Sequence, residues 1–165
     1  MKKLYIIRHA KSSWKDEALN DFDRPLNKRG KQNAPFMGKR LKENGIMPDI
    51  IVSSPALRAK TTAKMIAKEI KYAKDILFNQ DIYESSQSTL HKILTKIDDK
   101  CGILFLVGHN PALNMLAEYY VDFSQNIPTS GVVEIEFDCD KWADISAKNA
   151  KFISFDYPKK YKDTY

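Results

Sequence analysis

Four stretches of this chain carry side chains able to act on an anion, and each follows a segment that reads as a strand. Arg8-His9 ends the apolar run 4–7, Arg58 follows the run 50–52 and the turn Ser53-Ser54-Pro55, Glu84 follows a strand-like segment at 76–78, and His109 follows the run 103–107. In an open α/β sheet ligands bind at the carboxyl ends of the strands, so these residues are expected to share one edge. A guanidinium is a fixed fork of donors suited to phosphate or carboxylate, and an imidazole serves as nucleophile, acid-base or metal ligand. Two arginines and a histidine converging on one anion point to phosphate. No Gly-rich loop ends in Lys and Ser or Thr, which excludes a P-loop as a motif, and no tight carboxylate cluster offers itself to magnesium or zinc. The remaining route to phosphoryl transfer is a side-chain nucleophile, and a neutral histidine can attack phosphorus to give a phosphoenzyme.

The elements that must position these residues alternate between strand and helix. A polar stretch, 15–29, is rich in turn residues and long enough to do more than connect. A helix is expected from about 30 to 44, with Ala34, Met37 and Leu41 on one face and Gly45 as its stop; Pro35 is tolerable only near the first turn. The clearest helix is 56–71, where Ala59, Ala63, Ile66, Ala67 and Ile70 form a single apolar stripe and Arg58 stands in the first turn, at the positive end of the macrodipole. Leu90, Ile93, Leu94 and Ile97 mark a further helix; His91 beside them has no partner in sequence and is left outside the site. The run 103–107 is continuously apolar, as in a central parallel strand, and a helix through Leu113, Leu116, Ala117 and Tyr120 follows it. Segments 132–137 and 152–155 read as an antiparallel pair around a loop containing Trp142, and 158–165 shows no pattern. The expected architecture is a three-layer α/β/α sandwich with a mostly parallel central sheet, one domain spanning 1–165.

The chain has 165 residues, 43% hydrophobic and 29% charged, the balance of an ordinary globular protein. No apolar run approaches the roughly 20 residues of a membrane helix and no signal peptide is evident, so a cytoplasmic protein without membrane contact is expected. Cys101 and Cys139 have no paired spacing and read as reduced structural thiols. The net charge of +6 favours an anionic partner. The cluster around Lys159 to Lys162 reads as a solvated tail rather than a nucleic-acid site, since no recognition motif accompanies it.

Leu4-Tyr5-Ile6-Ile7-Arg8-His9-Ala10-Lys11-Ser12-Ser13-Trp14 resembles the signature of the histidine phosphatase superfamily, and Ser53-Ser54-Pro55-Ala56-Leu57-Arg58-Ala59 and Val107-Gly108-His109-Asn110-Pro111 resemble its second and third motifs in the same order. Within it the chain is similar to the SixA-type phosphohistidine phosphatases, which share Arg-His-Ala-Lys-Ser-Ser-Trp, Asp23-Arg24-Pro25-Leu26 and the pattern from Asn27 to Gly30. The resemblance implies a phosphoglycerate mutase-like fold, His9 as nucleophile, Arg8, Arg58 and a protonated His109 on the phosphoryl group, Glu84 at the proton donor's position, and phosphate contacts from Ser12 and Arg24. Two departures from the superfamily's sugar-phosphate mutases are Ala10 in place of glycine and Lys15 in place of asparagine. The implied activity needs no metal and no cofactor and acts on phosphohistidine carried by a protein. The alternatives are a phosphomonoesterase of small phosphorylated metabolites and, further off, a non-catalytic phosphate or nucleic-acid binding module.

Overall fold

The computed structural model of the chain describes residues 1–161. Within them β1 (Lys2–Arg8), β2 (Ile50–Ser53), β3 (Leu77–Phe78), β4 (Ile103–Gly108), β5 (Val132–Phe137) and β6 (Ala150–Asp156) form one sheet, ordered β3-β2-β4-β1-β5-β6. The first four strands run parallel; β5 pairs antiparallel with β1, and β6 antiparallel with β5. Four helices flank the sheet: α1 (Lys28–Glu43), α2 (Leu57–Ile70), α3 (Gln87–Thr95) and α4 (Ala112–Val121).

Strand alternation divides the core into two layers of contact. Leu4 and Ile6 of β1 join Leu104 and Leu106 of β4 against α3 and α4, while Tyr5, Ile7, Phe105 and Val107 pack against α1 and α2. The four side chains of β1 from Leu4 to Ile7 are all buried, and at roughly 1.5 to 3 kcal/mol for each large apolar side chain this makes β1 and β4 the best-anchored part of the molecule. Arg8-His9 and His109 therefore lie at the ends of the two most deeply buried strands.

Three local features differ from expectation. α1 begins at Lys28, because the Asn27 side chain accepts from the Gly30 N–H at 2.8 Å and caps it. Pro35 lies in the interior of α1 rather than its first turn; the buried stripe of Ala34, Met37 and Leu41 against the sheet and α2 outweighs the helix bond a proline forfeits. The segment after β6 forms a short 3-10 turn, Pro158–Tyr161, beside Arg40, which bonds Asp156 at 2.7 Å and lies over the Tyr161 ring at 3.9 Å. Lys162, the end of the basic cluster, lies outside the described residues. Trp142 is fully buried in the connection between β5 and β6, its indole N–H donating to the Cys101 carbonyl at 2.6 Å. Cys101 and Cys139 are free thiols, and among the described residues no helix is long and apolar enough to cross a membrane.

Candidate active site

β1 and β4 are neighbours, yet the helix that follows β1 covers one face of the sheet and the helix that follows β4 covers the other. Connections diverging in this way open a crevice at the strand ends. The register pairs Arg8 with Gly108, the His9 N–H donates to the Gly108 carbonyl at 3.1 Å, and the rings of His9 and His109 lie side by side with centroids 5.2 Å apart and planes tilted by 51°. Arg58 joins them from the first turn of α2, one strand away, and is 93% buried rather than a surface arginine.

The tautomer of His9 follows from its surroundings. Nδ1 lies 2.7 Å from the Ala10 carbonyl oxygen, which can only accept, so Nδ1 carries the hydrogen and the lone pair is left on Nε2. Ala10 is itself fixed: its N–H donates to Thr62 Oγ1 at 2.9 Å, and the Thr62 hydroxyl donates to the Arg58 carbonyl at 2.8 Å. Burial, reinforced by the nearby positive groups, pushes the His9 pKa from 6.5 down to about 3. The imidazole is thus neutral at physiological pH, the form able to attack.

His109 is bound the other way round. Its Nε2 lies 2.8 Å from Ser54 Oγ. Ser54 Oγ accepts the Ala56 N–H at 3.2 Å and its own hydrogen has no other acceptor than Nε2 among the described residues, so that hydrogen goes to Nε2 and the hydrogen of a neutral ring sits on Nδ1. That Nδ1 is buried and has no hydrogen-bond partner among the described residues. Burial and the Arg58 charge bring the His109 pKa to about 4. The ring by itself is therefore neutral at physiological pH, and a phosphoryl dianion beside Nδ1 would favour the protonated form expected from the sequence.

The arginines make the pocket positive. Arg8 donates through one terminal nitrogen to the Ile127 carbonyl at 3.0 Å, and its buried Nε has no partner among the described residues. Burial and the charge of Arg58 lower its pKa. Arg58 is held by Asp21, through the backbone oxygen at 2.7 Å and the carboxylate at 3.0 Å. The same carboxylate accepts the Tyr83 hydroxyl at 2.7 Å and Arg24 at 2.9 Å, and these donors hold it well below the usual carboxylate range. Arg24 donates in turn to Ser12 Oγ and to the Ser13 carbonyl. Ser12 and Arg24 thus reach Arg58 through Asp21, in a tier behind the two histidines.

Glu84 stands exposed on the rim, at a left-handed backbone position (φ 52°), in a groove it shares with Tyr83 and Thr89. Tyr83 connects it to the centre: its ring meets His109 edge-on at 5.6 Å, and burial, the Asp21 bond and the Glu84 charge push its phenol up to about 12. Asp21, Ser54, Thr62 and Tyr83 are the site residues that sequence reasoning did not single out. Ser54, Asp21 and Tyr83 left a trace, the first inside the turn before Arg58, the second three residues before Arg24 and the third next to Glu84. His91 stays apart, bonded to the Tyr120 hydroxyl at 2.7 Å.

The two buried imidazoles have a measurable consequence. Their folded pKa values, about 3 and about 4, lie below the ordinary 6.5, so on acidification the unfolded chain takes up protons that the folded chain refuses. Stability is unaffected by them above about pH 6.5 and falls as the pH drops through 6 and 5, by on the order of 3 kcal/mol for each histidine at about pH 4. Histidine NMR titration is the check: the His9 and His109 resonances stay at neutral positions from about pH 8 to about pH 5, and ordinary titration near 6.5 would show that the pocket is wetter than its burial indicates.

His9 with its free Nε2, His109 and two guanidinium groups come together at the carboxyl ends of β1, β2 and β4, a set of groups suited to a tetrahedral dianion, and the chain accordingly falls among phosphoryl-transfer enzymes. The family model of the histidine phosphatase superfamily (branch 1) matches residues 4–86. The chain belongs to that superfamily and is a phosphatase. It is 28% identical over 93% of its length to the whole of an uncharacterized protein from Mycobacterium tuberculosis. Its fold is shared with a putative phosphohistidine phosphatase SixA from Agrobacterium tumefaciens (TM-score 0.83, 24% identity, covering 95% of this chain and 98% of that one). It is shared also with a protein histidine phosphatase SixA complexed with tungstate (TM-score 0.82, 16% identity, covering 96% of this chain and 98% of that one).

Proposed function

We propose that this phosphatase hydrolyses phosphohistidine carried on a protein, using His9 as a covalent nucleophile and neither metal nor cofactor. The observation that carries the proposal is the orientation of His9: Nδ1–H is tied to Ala10 and Nε2 is free. The Nε2 lone pair attacks phosphorus in line while the bond to the substrate nitrogen breaks, and the departing imidazole takes up a proton from solvent. Arg8, Arg58 and His109 Nδ1–H hold the three non-reacting oxygens. Water then attacks the phosphorylated His9, its P–N bond breaks, and phosphate leaves with the imidazole restored to neutrality.

Two features support a protein substrate. Glu84 and Trp14, on the two sides of the site, are exposed, and the short spacing from Arg58 to Glu84 and from there to His109 leaves little chain for a lid. The fold match to a protein histidine phosphatase bound to tungstate, a tetrahedral oxyanion, fits the same substrate class. Enzyme labelled from a phosphorylated protein and quenched in alkali, where the P–N bond persists, is expected to carry the label on His9. A turnover screen of phosphohistidine proteins against small phosphate esters tests the substrate; faster hydrolysis of the esters would replace the proposal.

Glu84 gives the metabolite-esterase alternative its one specific support, because an alkoxide leaving group is strongly basic and needs a proton, whereas a departing imidazole needs far less help. Glu84→Gln is expected to slow alkyl phosphate hydrolysis by about 100-fold and phosphohistidine hydrolysis much less. Equal rates for wild type and variant on both substrates would make Glu84 a rim carboxylate without a chemical role.

A further inference from the structure

Beside the phosphate pocket the segments 11–15 and 25–31 enclose a groove of about 740 Å³. Lys11, Lys15, Lys28, Arg29 and Lys31 line it, all exposed, and no carboxylate does. Among the described residues none of these five cations forms an ion pair. One wall is the indole of Trp14, 71% exposed and backed on its inner face by the Arg24 guanidinium at 3.2 Å. The groove adjoins the active site through a short relay: Ser12 lines it and bonds Arg24, which bonds the Asp21 that holds Arg58.

We infer that this groove is a docking subsite for an acidic segment of the substrate protein, the stretch that flanks its phosphorylated residue. The inference rests on the protein-phosphatase proposal above. Five unpaired cations facing one concavity repel one another and sum into a field that only an anionic chain neutralises along its length. The volume falls within the roughly 300 to 1,000 Å³ of sites that seat a sizeable ligand, so it holds several side chains, and the bare indole face gives their aliphatic stems an apolar surface. A small phosphate ester fills the phosphate pocket alone and gains nothing from the groove. A protein segment occupies both.

Lys28→Glu/Lys31→Glu tests this without touching the catalytic groups. Both residues begin α1, where acidic side chains suit the helix dipole better than the native lysines, so the variant is expected to melt no lower than wild type. The probes are two synthetic peptides carrying one phosphohistidine, flanked by glutamates or by glutamines, and p-nitrophenyl phosphate. For wild type, kcat/KM is expected to be about 10-fold or more higher for the glutamate-flanked peptide, chiefly through KM. The preference should vanish in the variant, and also at about 1 M salt, where the Debye length shrinks to about 3 Å. Turnover of p-nitrophenyl phosphate should be unchanged. Equal turnover of the two peptides by wild type, or a preference that survives in the variant, overturns the inference.

A binding measurement separates this outcome from failure of the proposed function. Trp14 is one of two tryptophans and the other, Trp142, is fully buried, so fluorescence reports on the groove. An unphosphorylated glutamate-rich peptide is expected to shift Trp14 emission in wild type and not in the variant. Binding without turnover of either phosphopeptide would keep the docking subsite and discard phosphohistidine as the substrate; absence of binding would discard the subsite whatever the turnover. Displacement of the glutamate peptide by a thymidine oligonucleotide of equal charge at far lower concentration would mark the groove as a nucleic-acid site and overturn the inference as well.

Discussion

The His9→Ala protein is expected to fold, to bind vanadate, and to turn over phosphorylated substrates roughly 10⁴- to 10⁶-fold more slowly than wild type, the range seen when a covalent nucleophile is removed. The expectation follows from what His9 does and does not hold together. Its side chain makes a single hydrogen bond, to the carbonyl of the next residue, so truncation costs about 1 to 3 kcal/mol of stability and breaks no bridge between elements. The vanadate site survives because Arg8, Arg58 and His109 each take their position from other groups: the Ile127 carbonyl, Asp21 and Ser54. Circular dichroism, vanadate titration and a quenched-label assay together check it. Appreciable turnover by a folded, vanadate-binding His9→Ala protein would end the covalent mechanism.

The second large effect is that of Arg58→Ala, expected to lower kcat and kcat/KM together by on the order of 100- to 1,000-fold, about 3 to 4 kcal/mol, as for the loss of one preorganised transition-state donor. Arg58 is preorganised because Asp21 grips its guanidinium at two points while Thr62 and Ala56 fix the start of its helix. Arg58→Lys should recover little, since an ammonium has no planar fork with which to face Asp21 and a phosphoryl oxygen at once. Steady-state kinetics on a substrate with a good leaving group is the measurement. A rise in KM alone would show that Arg58 binds substrate and transition state equally.

Much of this arrangement was legible in the sequence because each element follows a local rule. Apolar runs end where polar residues must meet solvent, so Arg8, Arg58 and His109 could be assigned to strand ends and the helix between 57 and 70 to a single buried stripe. What stayed hidden depends on contacts between residues far apart in the chain. Asp21 takes its role from Arg58 and Tyr83, 37 and 62 positions away, and Ser54 from His109, 55 positions away. Pro35 in the interior of α1 is a tertiary override of local propensity. The charge of His109 is equally non-local: burial and Arg58 hold the ring neutral by itself, and the charge of a phosphoryl group beside it would draw a proton to it.

The connection from β1 to α1 closes at its base before it wanders. Ser12 bridges Leu26, the Asn27 N–H donates to the Lys11 carbonyl at 3.0 Å, and Gly30 packs so tightly on that carbonyl that a Cβ would stand 2.2 Å from its oxygen. Everything between is an excursion whose two ends are already tied, and residues 15–20 at its tip are wholly exposed. Because the base is shut, lengthening the tip leaves the backbone of His9 undisturbed, and doubling a loop costs only about 0.6 kcal/mol of closure entropy. The same scaffold can therefore acquire a new cover over its pocket by insertion alone, changing which molecules are admitted while the chemistry beneath is inherited intact.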